Sequence, residues 1–185
     1  MNQDYGRDSG NRRYPNQGGR QGGHQRRSTP LSDLDPALTS ISHKVIGLAT
    51  EIHMELGPGY PESVYLEAFK IELDVAQIAY KAMQPIDVEF DGHVIGQVVA
   101  DLLIDDKFIV DVMSAPREIG SFERSQLRAQ LRAADLVLGL IINFAGRRLK
   151  DGLVRVLNPD KLNADREGDD DHDDDGGDEQ AEDQG

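Results

Sequence analysis

Residues 136–146 read LVLGLIINFAG, an almost unbroken apolar run. A strand with one wet face alternates apolar and polar residues, whereas a continuous run suits a strand buried on both faces. Such a strand calls for other elements on each side of it. Before it, SFERSQLRAQLRAAD (121–135) reads as a helix. After it, DGLVRVLNP (151–159) reads as a last, more exposed strand.

The N-terminal half supplies the remaining layers. In LSDLDPALTSISHKVIGLATEIHMELG, apolar residues fall at Leu38, Ile41, Val45, Ile46, Leu48, Ala49, Ile52 and Leu56. That spacing predicts an amphipathic helix, with Asp35 as N-cap, Pro36 in the first turn and Gly57–Gly59 as the stop. PESVYLEAFKIELDVAQI predicts a second helix with Val64, Leu66, Phe69, Ile71 and Leu73 available for burial. Alternation then predicts strands over 84–90, 93–104 and 107–113, separated by turns at Asp91-Gly92 and Asp105-Asp106. The order α-α-β-β-β-α-β-β makes this an α/β chain, a mixed central sheet flanked by helices.

Charge divides the 185 residues into three parts. Residues 1–28 hold six Arg against two Asp, and 165–185 hold twelve Asp or Glu against one Arg. Between them stand thirteen Lys or Arg and twenty Asp or Glu, a net −7. The Gly, Gln, Asn and Arg-rich stretch 1–31 has no apolar periodicity and reads as a disordered arm; 161–185 reads as a disordered acidic tail. The foldable region is 32–160. The arm is either a solubilising segment or an RGG-like contact for nucleic-acid phosphates. The tail is either a solvated segment or a contact for a basic protein partner.

Other classes find no support. There is no cysteine, hence no disulfide framework and no thiolate metal site, which fits a reducing compartment. No run of about 18 apolar residues predicts a membrane span, and the N-terminus has no apolar leader segment. A cytoplasmic protein without a membrane partner is the expectation. Nucleotide-cradle, zinc-protease and serine-hydrolase motifs are missing from the sequence. Oligomeric state has no signature.

One hairpin breaks its own pattern. ADLLIDDKFIVDVMSA (100–115) carries Asp101 and Asp111 where alternation asks for apolar residues, and the two fall nearly opposite one another across the turn. If they share a face, Leu103, Ile109 and Met113 share it too. Two carboxylates that close repel unless something lies between them, and a divalent cation such as Mg²⁺ is one remedy. The alternative is an aspartate at a strand end, solvated by water.

Gly59-Tyr60-Pro61-Glu62-Ser63-Val64-Tyr65 spells G-x-x-E-x-x-Y, between ELGPG and LEAFKIEL. With it stand the hairpin VVADLLIDDKFIVDVMSA, the segment SQLRAQLRAADLVLGLIINFAG and the closing LKDGLVRVLNP. Taken together and in this order, over about 41–159, they resemble the GxxExxY family of the PD-(D/E)XK nuclease-like superfamily. The resemblance implies a restriction-endonuclease-like core. It implies that Glu62, Asp101 and Asp111 are metal ligands for Mg²⁺ or Mn²⁺, and that Gln126 is the motif glutamine that shapes the site. The metal would polarise a phosphate and activate water, with a lysine steadying charge.

Three positions depart from that pattern. Met113 stands at the lysine position, and a thioether neither carries charge nor suits a hard cation. Gln130 stands where Q-x-x-x-Y has its tyrosine, and Asp111 is one methylene shorter than the usual glutamate. Arg117 and Arg124 are the nearby cations. The resemblance with these departures implies metal binding with weak or no hydrolysis and a role related to nucleic acid. An active Mg²⁺-dependent phosphodiesterase for DNA or RNA, and a non-catalytic protein-interaction module, remain as alternatives. Tyr65 has two readings, orienting Glu62 or packing on Phe69. Asn143 and Phe144 read as strand-end packing, and His43 and His53 as helix histidines sharing a face.

Overall fold

A computed structural model describes residues 34–161. The arm and nearly all of the acidic tail lie outside these residues. The described elements run α1 (Pro36–Leu56), α2 (Glu62–Val75), β1 (Tyr80–Phe90), β2 (His93–Ile104), β3 (Phe108–Met113), α3 (Ser121–Ala133), β4 (Leu138–Asn143) and β5 (Leu153–Leu157), with a 3₁₀ turn at Leu149–Gly152 before β5. This is the α-α-β-β-β-α-β-β order expected from the sequence. The first strand begins at Tyr80 rather than near 84, and the short 3₁₀ turn carries no apolar period that would announce it.

The strands form one sheet in the order β1-β2-β3-β4-β5. All neighbours are antiparallel except β3 and β4, which α3 joins in parallel. Both hairpin turns match the sequence. Asp91 and Gly92 have φ of 51° and 74°, and Asp105 and Asp106 have φ of 50° and 53°. Positive φ at two successive positions is the type I′ geometry that tight hairpins use, and Asp tolerates it better than most residues.

β4 is buried along its whole length. Leu138, Leu140 and Ile142 face one cluster with Leu102, Ile104, Phe108, Val110 and Val112, closed by α1 and α2. Ile141 faces the other, with Ile109, Leu127 and Leu131. The apolar run is thus explained by cover on both faces. α1 begins as expected, with the Asp35 carboxylate accepting from the Ala37 amide at 2.8 Å. On α2 the buried residues are Tyr65, Phe69 and Leu73, while Val64 and Ile71 are exposed. Two of the five apolar candidates therefore face water, and Tyr65 takes their place inside because its hydroxyl finds partners there.

α3 closes on the sheet at Gly139. A Cβ on Gly139 would come within 2.7 Å of the Leu127 side chain. Glycine therefore sets how near α3, and Gln126 with it, stands to β4. Gly139→Ala is expected to destabilise the fold by overpacking, by about 1–3 kcal/mol, and to lower Tm by several degrees in thermal unfolding followed by circular dichroism.

Candidate active site

The GxxExxY stretch works first as a joint. Gly59 has φ 117°, a conformation closed to most side chains. The Tyr65 hydroxyl donates to the Gly57 carbonyl at 2.7 Å and accepts from the Tyr60 amide at 3.2 Å, which ties the turn to the helix that follows. The Tyr65 ring stacks on Phe144, centroids 4.4 Å apart. Phe69 and His53 lie against the same Phe144 ring at 6.2 Å. Tyr65 therefore does not hold the Glu62 carboxylate. It fixes the start of α2 against the end of β4, and Glu62 is carried there as the first residue of the helix.

Asp101 and Asp111 come from the hairpin, at a point where its ladder gives way. β2 and β3 pair at Leu102↔Val110, Leu103↔Ile109 and Ile104↔Phe108, and no further. One more step would set Asp101 against Asp111. Instead the Asp101 carboxylate accepts from the Val112 amide at 2.8 Å, so a side chain satisfies a backbone donor where the strands part. On the other edge, Met83 falls between the pairs Ala82↔Leu102 and Gln84↔Ala100, opposite Asp101, with φ 51°. Methionine in that region is uncommon, and backbone strain of this kind collects at functional positions.

Glu62, Asp101, Asp111, Met113 and Gln126 line one cavity of about 320 Å³, together with Val99, Val112, Arg117, Glu123, Gln130 and Ile141. All four candidate site residues thus meet in one place. Leu103, Ile109 and Met113 belong to the face packed under α3, as strand alternation requires. Arg124 is not among the lining residues, whereas Arg117 is. Of the arginines on α3, Arg132 pairs with Asp160 at 3.1 Å. His53 is buried with Nε2 2.8 Å from the Gly146 carbonyl, and His43 is exposed. Ten residues fall about 80° short of whole helical turns, so the two histidines do not share a face.

The carboxylates disturb one another. Burial pushes Asp111 from its ordinary 3.8 up to about 7, with the Asp101 and Glu62 charges adding to it. Burial raises Asp101 as well, opposed by the bond from the Val112 amide. Glu62 is raised by loss of water around its carboxyl and then by Asp101. Gln130, in the place of the motif tyrosine, donates Nε2 to the Val99 carbonyl at 3.3 Å and so ties α3 to β2. Its buried Oε1 has no partner among the described residues.

Three carboxylates and an unpartnered amide oxygen in one cavity are the oxygen donors that a hard divalent ion takes. In donor chemistry the residues fit such an ion. Among the described residues, no group of three His, Cys, Asp or Glu side chains forms a ready ligand cluster, so holding an ion would require the side chains to draw together.

Sequence reasoning named both arginines without choosing between them, and it missed Glu123. Glu123 is buried, accepts from the Gly120 amide at 2.8 Å and pairs with Arg117. The signal was present in GSFE, an acid three residues into a helix.

A family model described as the PD-(D/E)XK nuclease superfamily matches residues 39–156. No curated protein and no solved structure matches the chain. None of the described helices is long and apolar enough to cross a membrane.

The raised Asp111 has a stability consequence. The fold favours its protonated form, so the stability it contributes is complete below 3.8 and lost as pH rises through about 7. Asp111→Asn is expected to raise Tm at pH 8 and to converge with the parent near pH 4. A gain on the order of 2–4 kcal/mol at pH 8 follows from a carboxyl moved from 3.8 up to about 7. Equal gains at both pH values would show that the carboxyl charge is not the cause.

Proposed function

This chain belongs to the PD-(D/E)XK nuclease superfamily, and from that premise we propose that it is a GxxExxY-type nuclease-like protein that binds a divalent cation and nucleic acid and hydrolyses phosphodiesters weakly. The observation that carries this reading is the single cavity lined by Glu62, Asp101 and Asp111 with Met113 at the lysine position. Glu62, Asp101 and Asp111 would hold Mg²⁺ or Mn²⁺. When bound, the ion would supply Lewis acidity toward a phosphate oxygen and a more acidic water.

The chain's own residues do the rest. Asp111, raised to about 7, gives up its proton near neutrality, so cation binding strengthens as pH rises. Gln126 and Gln130 line the same cavity from α3. Met113 contributes neither charge nor proton. A site lacking one electrostatic stabiliser turns over about 10²–10³ times more slowly. The cysteine-free composition supports a reducing, cytoplasmic setting. Nucleic acid is the proposed partner. A basic protein partner for the acidic tail is the lesser proposal.

Two measurements test this reading. Millimolar Mn²⁺ or Mg²⁺ is expected to raise Tm for the parent chain at pH 8, and much less for Asp101→Ala with Asp111→Ala. Met113→Lys is expected to raise Mn²⁺-dependent cleavage of single- or double-stranded DNA or RNA by about 10²–10³-fold. Absence of any cation-dependent Tm shift, together with no cleavage by either protein, would overturn the nuclease-like reading in favour of a non-catalytic interaction module.

A further inference from the structure

We propose that Arg117 is the residue that takes the substrate phosphate in this cavity, supplying part of the positive charge that the side chain at position 113 does not carry. The proposal rests on the nuclease-like reading above and names the cation that this reading lacks.

Among the described residues that line the cavity, Arg117 is the one cation, against Glu62, Asp101, Asp111 and Glu123. A phosphodiester brings a further negative charge into that setting, so a cation within the cavity decides whether it enters at all. Arg117 is not there by chance of a long side chain. Its loop leaves the end of β3 and is fastened at several points. The Asn143 side chain, at the end of β4, donates Nδ2 to the carbonyls of Ala115 and of Arg117 itself, each at 2.9 Å. The Ser114 hydroxyl donates to the Tyr60 carbonyl at 2.5 Å, which ties the same loop to the turn that carries Glu62. Gly152 packs so closely on Asn143 that a Cβ there would clash with the Asn143 carbonyl oxygen.

The guanidinium is aimed by Glu123. Glu123 is buried on α3, and its carboxyl is held below the usual range, first by the bond from Arg117. Arg117 uses Nη1 for that bond. A guanidinium has five N–H donors, so enough remain for a bidentate hold on a phosphate. The Arg117 side chain is 57 % exposed while Glu123 is 10 % exposed. The arginine is thus anchored at one nitrogen and open to a ligand at the others. A lysine at 113 would present one point charge from the strand; Arg117 presents a fork from the adjoining loop.

The test uses the full chain with fluorescein-labelled DNA and RNA oligonucleotides, single- and double-stranded, in Ca²⁺ for binding and Mn²⁺ for cleavage. Arg117→Ala is expected to lower cleavage by about 10²–10³-fold and to weaken binding, while Arg117→Lys retains part of both. Arg124→Ala, outside the cavity, is expected to match the parent. Met113→Lys placed in the Arg117→Ala chain is expected to recover at least about tenfold of the loss, because it restores a cation by the other route. Thermal unfolding of each variant runs in parallel, since a merely structural role would lower Tm without rescue from position 113.

Cleavage and binding by Arg117→Ala equal to the parent would overturn the proposal while leaving the nuclease-like reading intact. So would failure of Met113→Lys to rescue in the Arg117→Ala chain when it raises cleavage in the parent. If neither the parent nor Met113→Lys binds or cleaves any of the oligonucleotides, the nuclease-like reading fails and the role of Arg117 falls with it.

Discussion

The parallel pairing of β3 and β4 sets everything at the cavity. Six successive pairs, from Phe108↔Leu138 to Met113↔Asn143, bring the ends of the two strands to one edge of the sheet. Both strands are mostly buried, so groups at their ends must find partners inside the protein. The Phe144 amide donates to the Met113 carbonyl at 2.8 Å. Asn143 is buried, and its side-chain amide donates to the loop beyond Met113. The Phe144 ring takes the stack of Tyr65. Glu62 and the loop of Arg117 are therefore brought to the two aspartates by the way one buried strand ends.

That edge gathers negative charge, and the fold relieves only part of it. Asp101 receives an amide and Glu123 receives an amide and a guanidinium. Among the described residues Asp111 receives no such donor, and its carboxyl is the one pushed to about 7. A site kept for stability alone would place an apolar residue there, since buried carboxyls without partners weaken a fold. Its strain is localised: the ladder opens beside Asp101 rather than along the sheet, and Met83 takes the unusual φ.

Much of this architecture was legible because its causes are local. Hairpin turns at Asp91-Gly92 and Asp105-Asp106, the cap at Asp35 and the apolar run of β4 follow from short-range chemistry and from period. The aspartates of the hairpin were legible as breaks in that period. What sequence could not supply depends on contacts far along the chain. Val64 and Ile71 look as apolar as Phe69, yet α2 turns them outward because Tyr65 finds hydroxyl partners at Gly57 and Tyr60. Arg117 and Arg124 are equivalent in a sequence; long-range ties such as that from Asn143, twenty-six residues away, separate them. Glu123 reads as a helix-start acid, and its second role emerges only when Arg117 is beside it.

A cation drawn from a loop differs physically from one fixed on a strand. A lysine at position 113 would be held by the sheet itself and would meet a phosphate with no prior partner to leave. Arg117 is already bound to a buried carboxylate through a charge-assisted bond, among the stronger hydrogen bonds in proteins. If the phosphate must share or replace that bond, part of the substrate's binding energy goes into the exchange. Energy used in that way is not available to the transition state. On the proposed reading, such a site would hold a phosphodiester more readily than it cleaves one. The same pairing keeps Glu123 ionised and orders the start of α3, so the arginine cannot be released fully without loosening the helix that carries Gln126 and Gln130. The departure at position 113 and the ion pair between Arg117 and Glu123 are then two sides of one constraint, a cavity whose one positive charge among the described residues is also part of its scaffold.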